Sequence, residues 1–169
     1  KLQELIQQKY KKTPLYKVLV KDKKLTSTAR AMNWSMELAG SFRITVTANP
    51  GVNLNDVEKG IFEAFEMFEK EGFTEEDLTR IKSNNETSFY GNFQSILMKS
   101  FTLGQYQMYK DNPEFYAADF ENTQSVTMED VKRVYEKYIK GKNYVATSFV
   151  PKGEISLIAE NSVSTGIVE

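Results

Sequence analysis

The sequence predicts an α+β fold, an antiparallel sheet with helices packed on one face. Two observations carry that reading. Residues 41 to 48 alternate, with Phe42, Ile44, Val46 and Ala48 on one side and Arg43, Thr45 and Thr47 on the other, the period of a half-buried strand. Further along, Asn55 with Glu58, Thr74 with Asp77 and Thr127 with Asp130 each pair an N-cap residue with an acid three positions on, the signature of a helix start. The strands are grouped and the helices follow them.

The 169 residues suit one domain at about 150 residues per domain. With 40% hydrophobic and 12% aromatic residues, the chain can bury roughly 68–70% of its unfolded surface, enough for a core. Its 22 Lys and Arg nearly cancel 23 Asp and Glu, so no basic excess draws it to nucleic acid or an anionic membrane. The sequence contains neither Cys nor His. That excludes disulfides, thiol nucleophiles, Ser-His-Asp catalysis and His- or Cys-based zinc sites. Lys1 opens the chain, which reads as a soluble piece of something longer. No apolar run approaches the roughly 20 residues of a spanning helix.

Along the chain, Leu2, Leu5 and Ile6 predict a short amphipathic helix over residues 2 to 9. Thr13-Pro14 reads as an N-cap and first helical position, opening a helix through Leu15, Val18 and Leu19 to about Asp22. Lys21–Lys24 is its polar exit and complements the helix dipole. Residues 26 to 34 and 41 to 48 form strands joined by Glu37-Leu38-Ala39-Gly40, hence antiparallel neighbours. Asn49-Pro50-Gly51 ends the hairpin with turn chemistry. A helix capped by Asn55 runs to Glu71 and closes at Gly72. Thr74 starts a long helical region whose face takes Leu78, Ile81, Phe89, Phe93, Ile96 and Leu97, with a break or kink expected at Gly91 and Gly104. Asp111-Asn112-Pro113 stops it before a short helix near Glu114–Phe120. Thr127 caps a last helix carrying Val131, Val134, Tyr135, Tyr138 and Ile139, ended by Gly141. Tyr144–Val150 is predicted as a strand stopped by Pro151. Residues 1 to 151 thus form one α+β domain, with 1 to 12 an atypical N-terminal helix, and 152 to 169 a tail or linker.

No constellation of side chains reads as a catalytic, cofactor-binding or metal site. Glu75, Glu76 and Asp77 suit the first turn of a helix, where the dipole favours carboxylates. Glu66 and Glu69 share a helix with Lys59 and Lys70, an ordinary solvated face. Trp34, Met32 and Met36 cluster around the hairpin connection. A Trp there serves as an interface anchor or as core, and the balance of the two readings favours core.

The succession Thr13-Pro-Leu-Tyr-Lys-Val-Leu-Val-Lys-Asp-Lys-Lys-Leu25, Gly40-Ser-Phe-Arg-Ile44, Asn49-Pro-Gly51, Val57-Glu58, Glu71-Gly-Phe-Thr-Glu-Glu-Asp-Leu78, Arg80-Ile-Lys82, Leu103-Gly104, Val126-Thr-Met-Glu-Asp-Val-Lys-Arg-Val134, Tyr138 and Val150-Pro151 resembles the insulinase/pitrilysin family of zinc metallopeptidases. These inverted zincins include mitochondrial processing peptidase. The resemblance covers residues 13 to 151. It implies two homologous halves of two α+β domains each, closing around an unfolded peptide. Zinc would be held by His-x-x-Glu-His and a downstream Glu in another domain, polarising the scissile carbonyl and activating water with the motif Glu as general base.

By that resemblance the chain is the second, non-catalytic domain of a half, and zinc belongs to the catalytic domain of the parent protein. Its partners are then that domain, the other half and a peptide or unfolded protein substrate, with no nucleic acid and no membrane span. The family's closing domain carries Leu-Arg-x5-Gly-Tyr, which binds substrate or the developing oxyanion. The matching positions here are Leu19-Val20 and Thr26-Ser27, so neither role transfers, which favours the zinc-bearing half. Residues 152 to 169 would link the halves. Similar bacterial proteins are often exported, which leans toward a bacterial source and the periplasm. Two alternatives stand beside this expectation: an autonomous ferredoxin-like binding or scaffold module with a complete sheet, and an inactive homologue that pairs with a catalytic half.

Overall fold

Alternation over residues 41 to 48 becomes a strand, and its neighbour lies where the sequence predicts it. In the computed structural model, which describes residues 13–36 and 38–163, β1 (Thr26–Ser35) and β2 (Gly40–Ala48) form a two-stranded antiparallel sheet. The helix expected over residues 2 to 9 lies outside the described residues. Ala29 pairs with Val46, Ala31 with Ile44 and Asn33 with Phe42, and the register shifts between Thr26 and Thr28. The Thr26 hydroxyl bridges that irregularity, accepting from Thr28 N at 2.9 Å and donating to the Thr47 carbonyl at 2.5 Å.

The chain divides into two compact units, Lys1–Gly72 with Gly141–Glu169, and Phe73–Lys140. In the first, α1 (Tyr16–Asp22) and α2 (Leu54–Glu71) cover one face of the hairpin. Leu15, Val18, Leu19, Ala29, Ala31 and Ala64 make the buried cluster, with Phe42, Ile44 and Val46 packed against it. This is the expected layer of helix on sheet, built by the apolar sides of both elements. Helical winding begins at Thr13-Pro14 as predicted, with Lys17 N–H bonded to the Thr13 carbonyl at 2.9 Å. It then widens to a π-helix, in which Lys23 N–H reaches back five residues to the Val18 carbonyl at 2.9 Å.

The N-cap of α2 is Asn53, two residues before the expected Asn55. Asn53 Oδ1 accepts from Asn55 N at 2.8 Å, while Asn55 Nδ2 donates to Glu160, so the first Asn carries the cap and the second is used elsewhere. Gly72 ends α2 as expected, with φ +70° and its N–H on the Phe68 carbonyl.

The strand predicted at Tyr144–Val150 does not form. Its aromatic and β-branched residues favour extended backbone but belong to no ladder, and Phe149 is 88% exposed. Propensity supplies an extended backbone, and only a partner's hydrogen bonds make it a strand. Tyr144 is tied to α2 instead, donating to Glu58 Oε1 at 3.0 Å and meeting Phe62 edge-on at 5.4 Å. Ile155–Leu157 forms a single 3-10 turn. Around it Ala159 is buried, and Asn53 Nδ2 and Asn55 Nδ2 donate to the Ser156 carbonyl and Glu160 Oε1, both at 2.9 Å.

The second unit is helical: α3 (Glu75–Gln94), α4 (Ile96–Lys110), α5 (Phe115–Gln124) and α6 (Met128–Tyr138). Thr74 with Asp77 and Thr127 with Asp130 form complete capping boxes, as the spacing predicts. The long helical region breaks at Ser95 (φ −88°, ψ 120°), whose hydroxyl accepts from Met98 N, and not at Gly91 or Gly104, which lie inside α3 and α4. A non-helical residue resets the helical phase. Leu78 and Ile81 are therefore buried while Ile96, expected on the same face, is 86% exposed. Asp111, left-handed at φ 51°, stops α4 as expected. Tyr138, read as part of the apolar face of α6, is exposed, whereas Val131 and Tyr135 are buried.

Candidate functional site

The helical unit holds an open groove of about 540 Å³ between α3, α4 and α5. Asn85, Phe89, Phe93, Tyr106, Tyr116 and Asp119 are among its lining. Helical spacing puts Phe89 and Phe93 one turn apart on α3, and the turn at Asp111–Glu114 brings α5 back beside them. Phe89 stacks on Phe120 with centroids 4.3 Å apart, and Phe93 lies 4.7 Å from Tyr116. Such ring pairs add to burial and hold the groove wall in place.

Tyr106 Oη donates to Asp119 Oδ2 at 2.7 Å. Burial, followed by the hydrogen bond and charge of Asp119, pushes the Tyr106 phenol up to about 12. Near neutral pH the Tyr106 phenol is therefore a neutral donor to Asp119. It ties α4 to α5 across the groove, whose lining offers aromatic faces and amide groups in place of a proton-exchanging pair. Sequence reasoning placed Phe89 and Phe93 on a core face and singled out none of Tyr106, Tyr116 or Asp119. Tyr106 and Asp119 stand 13 residues apart, across a turn, where no local period connects them.

The acidic groups noted in the sequence are accounted for locally. Asp77 accepts from Thr74 and pairs with Arg80 at 2.6 Å, and Glu66 and Glu69 are exposed on α2. Among the described residues no group of three or more His, Cys, Asp or Glu could hold a metal ion. Trp34, read as core, is 58% exposed, as are Met32 and Met36 to similar degree. The helices cover the Ala29 and Ala31 side of β1, and Met32 and Trp34 alternate onto the other.

The model of the peptidase M16 inactive domain matches residues 2–85. The chain belongs to the M16, or insulinase, peptidase family. It is of that family's inactive-domain type. A protease from Helicobacter pylori superposes with a TM-score of 0.67 at 24% identity, over 82% of this chain and 34% of that one. A protein of Bordetella pertussis Tohama I assigned as a zinc protease gives 0.66 at 16%, over 78% and 72%. The inactive peptidase domain of a protein from Bordetella parapertussis, likewise assigned as a zinc protease, gives 0.66 at 17%, over 78% and 71%. At these identities the likeness is one of fold, and the chain spans about a third of the Helicobacter protease. None of the curated proteins compared with it matches. An M16 zinc motif needs two His, and this M16 domain has none, so its residues do not fit a zinc site of that kind. No helix of the described residues is long and apolar enough to cross a membrane.

Proposed function

We propose that this M16 inactive domain supplies wall and inter-domain surface to a zinc endopeptidase that acts on peptides or unfolded protein. Zinc and the catalytic residues belong to another domain of the parent. The observation that carries this reading is the match to an inactive M16 domain in a chain with no His or Cys. The positions where the family's closing half carries Arg and Tyr hold Val20 in α1 and Ser27 in β1, which supports membership of the zinc-bearing half. A sheet of two strands beside an unladdered Tyr144–Val150 supports a domain completed by its parent over an autonomous scaffold module. Residues 152–169 then lead from this domain toward the other half.

Deleting this domain from the parent tests the proposal. The shortened parent should still bind zinc at its catalytic domain yet lose cleavage of unfolded polypeptides. Cleavage of the same substrates at an unchanged rate would contradict a wall role.

A further inference from the structure

The β1–β2 hairpin leaves one face bare. Register sets Arg30 opposite Thr45, Met32 opposite Arg43 and Trp34 opposite Ser41. Because Ala29 and Ala31 are buried on the helix side, these six side chains project away from the core, and all six are exposed. Arg30 and Arg43 are diagonal cross-strand neighbours, a spacing of about 7–8 Å. The ion pairs among the described residues are Lys17–Glu71, Lys23–Glu63, Arg80–Asp77 and Arg133–Asp130, so neither guanidinium is neutralised by one. Neither β1 nor β2 contains an Asp or Glu. Two unneutralised guanidiniums therefore flank Met32, with Trp34 beside them, on a flat open surface. Arg and Trp are the residues most enriched where binding energy concentrates.

We propose that this open face binds an extended acidic peptide. Alternate residues of an extended chain repeat at about 6.6–6.8 Å, which matches the diagonal spacing of the two guanidiniums. Two carboxylates at alternate positions can thus be held by Arg30 and Arg43, each in a charge-assisted hydrogen bond. Met32 and Trp34 lie beside the apolar residues that follow. Two cations on a chain of net charge −1 fall short of the row of contacts that holds a phosphate backbone. That this peptide is also a substrate rests on the chamber reading above, and the binding itself does not.

Trp34 is the single tryptophan of the sequence, so its fluorescence reports on this face directly. The 169-residue chain is titrated with a synthetic peptide alternating Glu and Leu, and with its Gln analogue. The Glu peptide should shift Trp34 emission to the blue and bind about tenfold more tightly than the Gln peptide, an advantage that shrinks with salt. Replacing both arginines (Arg30→Gln with Arg43→Gln) should abolish the preference with the far-UV circular dichroism unchanged, and Arg→Lys at both should retain part of it. Equal affinity for the two peptides overturns the proposal. So does displacement of the Glu peptide by single-stranded oligothymidylate, or a preference that survives the double Gln replacement. A measured preference alongside a parent that cleaves nothing would keep this surface and sink the chamber reading, while no preference alongside an active parent would do the reverse.

Discussion

Gly60 on α2 lies flush against Leu19 of α1: a Cβ at residue 60 would stand 2.6 Å from Leu19 Cδ2. Leu19 is wholly buried, so the contact sets how closely the two helices approach. Gly60→Ala gains about 1 kcal/mol of helix propensity but overpacks a filled core at a cost of about 1–3 kcal/mol. The expected net effect is a modest loss of stability in urea denaturation. A second change, Leu19→Ala in the Gly60→Ala background, should be milder than Leu19→Ala alone, because each relieves the other.

The two capping boxes make separate demands on the helical unit. Thr74→Ala removes the acceptor for Asp77 N and should cost about 1 kcal/mol, read from the denaturation midpoint. At the other box, the hydrogen bond from Arg133, then that from the Thr127 backbone, holds the Asp130 carboxyl below its ordinary value of 3.8. A carboxyl lowered by folding contributes stability above its unfolded pKa and loses it as pH falls below 3.8. Carboxyl NMR titration should find Asp130 ionising below an ordinary aspartate, and Arg133→Gln should return it toward that value.

Tyr106 behaves in the opposite sense. Its phenol is raised from 10.0 to about 12, so its contribution to stability is complete below pH 10 and lost as pH climbs through 12. The ultraviolet difference titration between the native chain and Tyr106→Phe should show one phenol ionising late. At neutral pH the same substitution should cost about 0.5–1.5 kcal/mol, the net worth of one hydrogen bond.

The segment after Pro151 is held to α2 by Asn53 and Asn55, which donate to the Ser156 carbonyl and to Glu160. Truncation after Pro151 removes those bonds and the buried Ala159, while leaving the Leu15, Leu19 and Ala64 cluster intact. The truncated chain should keep its circular dichroism and melt a few degrees lower, by about 4–8 °C for each kcal/mol in units of this size. Loss of folded signal on truncation would show that the segment is integral to the first unit.

Elements whose signals are local were legible in the sequence. Thr74 with Asp77, Thr127 with Asp130, Gly72 and Asp111 each announce a helix end within four residues, and the alternation of Phe42, Ile44 and Val46 announces a strand. Features that depend on a distant partner were not. Asn53 and Asn55 are equivalent candidates until Glu160 takes the second, and Tyr144–Val150 is rich in strand-forming residues but finds no ladder. Ser95 breaks a helix that two nearby glycines do not, because its hydroxyl caps Met98 N. Trp34 could be read as core or anchor until the helices proved to cover only the Ala29 side. Arg30 and Arg43 became neighbours only once the register was known.

Calorimetric titration of the 169-residue chain with zinc tests most directly the claim that the metal and its chemistry lie outside this domain. The expected result is weak, non-saturating heat, since the chain offers no His or Cys and no described carboxylate cluster of ligating size. Saturable one-to-one binding would contradict that claim and place a metal centre within the chain itself.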